Sequence, residues 1–240
     1  LDAKVSSTRT IYYPKSGSLR AFSYANLTTD GMQANFDNFC SKAGAGATSA
    51  PTQCAGLNAT DLAIANSGGN LVDYLRGTQT YSTYRSRDSV LGDIINAAPL
   101  FVGKPMFNYT ENSYGSFRSG STRSDVIYAA ANDGMLHAID GATGEEKWAY
   151  IPSYVLPKMY KLADENYAGN HMFMVDGSPV MGDIYTATGW KTILVGGLNA
   201  GGRGYYALDV TNPETPKLLW EFSETDLGLT FGNPIITKKA

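Results

Sequence analysis

The chain has 240 residues and a formal net charge of −3, long enough to bury a core in one or two domains. That charge gives no electrostatic reason to expect nucleic acid or an anionic membrane as ligand. A charged fraction of 17%, set against 16 Tyr and 26 Gly, suits short strands and tight turns more than long helices.

Residues 1–90 are expected to form a small, irregular α+β lead-in. RTIYY from Arg9 and SLRAFSY from Ser18 alternate around residues 14–17 and predict a hairpin. Asp30 is expected to cap a short helix that places Met32, Phe36 and Cys40 on one face. A second short helix is predicted over residues 70–76, with Asn70 as cap, Gly77 as stop, and Leu71, Tyr74 and Leu75 facing inward. Between them, Cys40 and Cys54 flank a Gly/Ala/Ser-rich stretch. Either they are two buried thiols or they close a loop of about 15 residues, worth roughly 3 kcal/mol in the chain-entropy model. The even count favours a disulfide, and with it an oxidising compartment. There is no CxxC and no Cys/His cluster, so zinc is not expected.

Residues 91–240 carry a repeat. NAAPLFVG from Asn96, DGSPVMGD from Asp176 and FGNPIITK from Phe231 each place a proline before an alternating apolar strand. After the first two, an apolar strand, a Gly-containing turn, a strand ending Ala-x-Asp (Ala138 to Asp140, Ala207 to Asp209) and a strand bearing Trp148 or Trp220 follow in order. Four-strand repeats predict a β-propeller, here two blades and the start of a third. Two blades cannot close a ring, so the propeller is expected to be incomplete in this chain. Because Leu1 is no initiator, an upstream part is expected to precede it. Asn132-Asp133-Gly134 predicts a tight hairpin needing positive φ. Asp140 is expected to hold the next turn through its side chain. Trp148 and Trp220, at matching places in the repeat, are expected to pack between blades.

Two stretches break the repeat. Residues 105–124 are rich in Tyr, Ser, Asn and Gly, and fit either an adaptable recognition loop or a disordered surface excursion. Residues 153–174 join the blades and are expected to hold a short helix around residues 158–163. Loops on a rigid β scaffold are where binding tends to lie, which makes Tyr109, Tyr114, Tyr154 and Tyr160 the candidate partner contacts. No apolar run approaches the roughly 20 residues a membrane helix needs. The sequence has no G-x-S-x-G, no phosphate-binding Gly loop and no D-x-[DN]-x-[DN] calcium pattern. His137 and His171 lie in unrelated contexts, and His137 reads as a structural residue of a strand. No catalytic, cofactor-binding or metal residue is assigned.

Six segments follow one another in order: LRAFSYANL (from Leu19), VDYLRG (from Val72), RSRDSVLGDIINAAPLFVG (from Arg85), VIYAAANDGMLHAIDGATGEEKWAYIP (from Val126), VDGSPVMGD (from Val175) and DLGLTFGNPIITK (from Asp226). In this order and spacing they resemble the PilY/PilC family of type IV pilus biogenesis factors and tip adhesins. The resemblance implies a mainly β chain with quinoprotein-like propeller blades. It also implies a secreted protein that passes the periplasm and outer membrane to act at the pilus tip or cell surface. Its role would be pilus assembly and retraction control, surface attachment and twitching motility, without catalysis. Minor pilins and the tip complex are the implied partners, with a host or abiotic surface as a further one. The resemblance also implies a calcium-binding loop of later blades in many members; either that loop lies beyond Ala240 in the full-length protein or this member lacks it. Two alternatives share the blade motif. A periplasmic scaffold propeller would lack the segments from Val72 and Arg85. A quinoprotein dehydrogenase would need a calcium-quinone site and, commonly, adjacent cysteines, whereas Cys40 and Cys54 are 14 positions apart.

Overall fold

The computed structural model describes every residue except 1, 3, 5, 112 and 238–240. Lys238, with which the third proline segment ends, therefore lies outside the described residues. Strands β1 (Ile11–Lys15) and β2 (Ser18–Ala21) form the expected hairpin, with Lys15 paired to Ser18 across the turn. Helix α1 (Tyr24–Thr29) follows, its first turn capped by the Ser23 hydroxyl, which accepts from the Asn26 N–H. Asp30 closes this helix as its C-cap and does not open the next one. The reason is the Lys15 ammonium and the Tyr13 hydroxyl, which engage the Asp30 carbonyl and carboxylate and fix it at the hairpin. Met32, Phe36 and Cys40 sit in two short 3-10 turns, Gln33–Asn35 and Phe39–Ser41, with their flanking residues.

Helices α2 (Ala59–Asn66) and α3 (Gly68–Arg76) run almost end to end. Asn70 is expected as the cap of the second, but the Ser67 hydroxyl takes that place by accepting the Asn70 N–H, so α3 begins a half-turn earlier. It ends at Gly77 as expected, and Leu71, Tyr74 and Leu75 are buried. Cys40 and Cys54 form a disulfide.

The first blade consists of β3 (Leu100–Val102), β4 (Val126–Ala131), β5 (Met135–Asp140) and β6 (Glu146–Tyr150), with helix α4 (Tyr114–Ser119) inserted between β3 and β4. The second consists of β7 (Val180–Thr186), β8 (Gly189–Gly197), β9 (Tyr205–Asp209) and β10 (Lys217–Phe222). Each is an antiparallel meander in chain order, as a propeller blade requires. The Asn132-Asp133-Gly134 turn joins β4 to β5, with Ala131 opposite Met135 and Gly134 at φ 92°, a conformation a Cβ would strain. Asp140 holds its turn by accepting the Ala142 and Thr143 N–H groups, both at 2.9 Å. Asp209 does the same for Thr211 in the second blade.

The lead-in does more than precede the propeller. Strand β1 pairs in parallel with β6, through Ile11 opposite Ala149 and Tyr12 opposite Tyr150, so the first blade's sheet has six strands in the order β2-β1-β6-β5-β4-β3. One buried core then runs without a break from Phe36 and Leu71 in the lead-in, through Trp148 and Met159, to Tyr206 and Leu208 in the second blade.

Trp148 packs between blades, with its indole N–H donating to the Pro213 carbonyl at 2.7 Å. Trp220 does not. It is 44% exposed on the far face of the second blade, because no sheet lies on that side among the described residues. Residues 231–237 form no strand, since a strand is defined by its ladder partner and they have none. Their Ile236 instead packs against Ile193 and Val195.

Candidate binding surface

Sequence reasoning leaves residues 105–124 open between an adaptable loop and a disordered excursion. The described part of this stretch is ordered by aromatic packing against the β7–β8 hairpin. Tyr109 stacks on Trp190 with ring centroids 5.4 Å apart and planes 9° from parallel. Phe107 stacks on Tyr109 at 5.2 Å, and Phe117 and Tyr185 contact the same indole. Tyr114, the first residue of α4, meets Trp190 edge-on and is buried, with its hydroxyl donating to the Asp183 carboxylate at 2.5 Å. Burial and then that carboxylate hold the Tyr114 hydroxyl well above the usual phenol range. The other Asp183 oxygen accepts from Thr192 at 2.6 Å, so one carboxylate ties the excursion to two strands of the second blade. Tyr109 at 37% and Tyr185 at 55% exposure are what this cluster offers to solvent.

The other excursion is turned inward. Residues 153–174 form two 3-10 turns, Leu156–Ala163 and Glu165–Asn170, where a helix around residues 158–163 is expected. Pro157 near the start of the first turn supplies no N–H, and Leu156, Met159, Leu162 and Ala163 are buried in the tighter winding. Tyr160 donates to the Ala43 carbonyl at 2.9 Å, with Lys42 above its ring. Tyr154 lies on Gly204 so closely that a Cβ there would fall 2.4 Å from its ring. Gln53, beside the disulfide, donates to the Ala163 carbonyl, and Asp164 accepts the Ala45 N–H at 2.6 Å. The disulfide loop therefore docks on this excursion. Of the four sequence-predicted tyrosines, the structure brings Tyr109 and Tyr114 together, and places Tyr154 and Tyr160 in packing elsewhere.

Two features escape the sequence reading. Trp190 follows a Gly at a hairpin turn and occupies no repeat-equivalent tryptophan position, which is the signal that could have found it. The second is a buried charge chain. Arg9 of the lead-in makes a two-point contact with Glu146, at 2.7 and 2.8 Å, and Glu146 also meets His137 Nδ1 at 2.8 Å. His137 Nε2 meets Asp133 at 3.0 Å. Burial alone would lower the His137 pKa, but the Asp133 and Glu146 carboxylates push it up to about 9. Burial would raise Glu146, yet the Arg9 hydrogen bonds and His137 pull it down to about 2. The imidazole is 0% exposed, so its chemistry is to hold a proton between two carboxylates and fasten Arg9 to the blade. His171 is separate, paired with Asp93 at the surface. Among the described residues no group of three or more His, Cys, Asp or Glu is placed to hold a metal ion, and no helix is long and apolar enough to cross a membrane.

A family model described as the PilY1 beta-propeller domain matches residues 91–239. A Type IV pilus biogenesis factor PilY1 of Pseudomonas aeruginosa (strain UCBPP-PA14) is 41% identical over 183 residues, covering 71% of this chain and 16% of that protein. A Type IV pilus biogenesis factor PilY1 homolog of Xylella fastidiosa (strain Temecula1 / ATCC 700964) is 38% identical over 198 residues, covering 75% and 16%. This chain thus spans 16% of the length of each. The crystal structure of the Pseudomonas aeruginosa PilY1 C-terminal domain aligns with a TM-score of 0.45 and 39% identity, over 56% of this chain and 28% of that one.

Proposed function

Since the chain belongs to the PilY1 β-propeller domain family, we propose that it serves type IV pilus biogenesis as a binding and assembly module, without catalysis of its own. The observation that carries this reading is the family match itself, together with relatives near 40% identity whose names state that role. Fold alone would not carry it, because propellers host many unrelated functions. The six-stranded first blade and the continuous core supply a rigid platform, and rigid platforms bearing exposed aromatic groups suit protein contact.

In this reading the protein is secreted through the periplasm and outer membrane and works at the pilus tip or cell surface. It contacts minor pilins there, supports pilus assembly and retraction control, and contributes to surface attachment and twitching motility. Where a member of the family carries a calcium loop, this reading assigns it to later blades. Tyr109 and Tyr185, the exposed members of the aromatic cluster, are the contact candidates on this chain. Deleting the gene and counting surface pili tests the role: unchanged piliation and twitching would sink it. Changing Tyr109 and Tyr185 together to Ser, with secretion and melting temperature checked, tests the surface. Reduced piliation or attachment is expected, and wild-type behaviour removes these two residues from the reading.

A further inference from the structure

Beside the aromatic cluster lies a cleft that the reading above does not use. It has a volume of about 660 Å³ and separates the end of α4 and its following loop from the β9–β10 turn. Phe117, Ser116 and Ser121 line it from α4 and its following loop, Asn212 and Glu214 from the β9–β10 turn, and Arg123 is part of the same lining.

Arg123 is unusual for a cleft residue. It is only 9% exposed, its Nη2 donates to the Gly103 carbonyl, and its Nε has no hydrogen-bond partner. It makes no ion pair among the described residues. Asp183 and Asp125 are the carboxylates whose charges bear on it, but neither pairs with it, and Asp183 is already engaged by Tyr114 and Thr192. A guanidinium this deeply buried with a single carbonyl partner is costly, and an anion on the part of Arg123 that lines the cleft would offset that cost.

The walls narrow the choice of anion. Glu214 sits on the rim with its side chain 56% exposed and is held by Lys147 at 2.6 Å and by Ser124 at 3.2 Å. Asp183 and Asp125 already bring negative charge to bear on Arg123, which disfavours a dianion such as phosphate and leaves a single carboxylate as the better match. The rest of the lining offers hydroxyls, an amide and the Glu214 oxygens, which together both donate and accept hydrogen bonds, plus one phenyl ring. Apart from Phe117 and Pro213 it has no apolar subsite for a peptide side chain. We propose that this cleft binds a carboxylate-bearing saccharide, with the carboxylate on Arg123, the hydroxyls on the two polar walls and a sugar face against Phe117.

Titration calorimetry of the purified protein with glucuronic acid and with N-acetylneuraminic acid tests this and separates the two sources of the same chemistry. Glucose, acetate and an Asp-rich peptide are the controls. One or both acids should bind at least about tenfold more tightly than glucose or acetate. Arg123→Gln should weaken that binding by about tenfold or more, the scale of one charged hydrogen bond. Because Arg123 also ties down Gly103, a second variant is needed. Ser116→Trp fills the cleft from an exposed position and should abolish binding at an unchanged melting temperature. Absence of binding by both acids at ~10 mM overturns the proposal, as does binding that survives either variant. Tighter binding of the Asp-rich peptide than of either acid overturns it in favour of a peptide site.

Discussion

The two blades are built on one plan and stabilised by different means. In both, the residue opposite the Ala of Ala-x-Asp is the tryptophan, Trp148 facing Ala138 and Trp220 facing Ala207. Both place a register shift just before it, so Lys147 and Leu219 are each left without a ladder partner. The neighbouring positions then diverge. Where the first blade sets His137 opposite Ala129, the second sets Tyr206 opposite Gly196. Where the first has Glu146 opposite Ile139, the second has Leu218 opposite Leu208. The first blade thus carries a charge chain reaching the lead-in, while the second carries a phenol ring on bare backbone, with Gly196 so close that a Cβ would lie 2.3 Å from the Tyr206 hydroxyl. Equivalent places in a repeat share backbone geometry. What fills them is set by the neighbour on each side: a lead-in hairpin on β6 for one blade, the first blade's Tyr150 ring, 5.4 Å away, for the other.

The strongest test of this contrast is the tryptophan pair. Trp148→Ala should cost about 4 kcal/mol, the range for emptying a large buried aromatic site. Trp220→Ala in the 240-residue chain should cost about 1 kcal/mol or less, because nearly half of that side chain is already in water. Urea unfolding of both variants reads the difference, and equal losses would mean that the second tryptophan is as well covered as the first.

Next is the charge chain. Arg9→Met leaves Glu146 and Asp133 with only His137 between them and should cost about 3 kcal/mol, as expected when one partner of a buried pair is lost. The same chain sets a pH window. His137 is raised from 6.5 to about 9, so its contribution is complete below 6.5 and is lost as pH rises through 9. Glu146 is lowered from 4.5 to about 2, so its contribution is complete above 4.5 and is lost as pH falls through 2. The urea midpoint should therefore be highest between pH 4.5 and 6.5 and decline toward pH 9. In His137→Gln the alkaline decline should flatten; a decline that persists would place its cause elsewhere.

Smaller effects sharpen the second blade. Gly196→Ala should cost about 2 kcal/mol, because the Tyr206 ring must move to admit the methyl group. Ala129→Gly at the equivalent place should cost about 1 kcal/mol or less, the backbone-entropy effect alone. Smallest of all is Tyr206→Phe. The Tyr206 hydroxyl is buried without a partner, so removing it should be neutral or stabilise the fold by about 1 kcal/mol. A thermal melt showing a loss of 2 kcal/mol or more would reveal a partner for that hydroxyl.

Much of this molecule was legible in the chain. Local rules act through residues close in sequence, and they held where nothing distant competed. The repeat of proline strand, hairpin and Ala-x-Asp strand appears as two meanders, Gly134 takes the positive φ its turn demands, and Asp140 holds its own backbone. The Cys40–Cys54 bond is favoured by the even cysteine count, and the hairpin by the alternation on either side of residues 14–17. What tertiary structure decided were the partners. Asp30 looked like a helix start and became an end, because the hairpin's Lys15 and Tyr13 reached it first. Trp148 and Trp220 are alike in the repeat, yet only one is covered by a sheet. The aromatic cluster joins Tyr109 to Trp190 across 81 positions, and the charge chain joins Arg9 to Glu146 across 137. The physical reason is that hydrogen-bond and burial preferences belong to a residue type, whereas satisfying them depends on which distant surface arrives, and that is set only when the sheets pack.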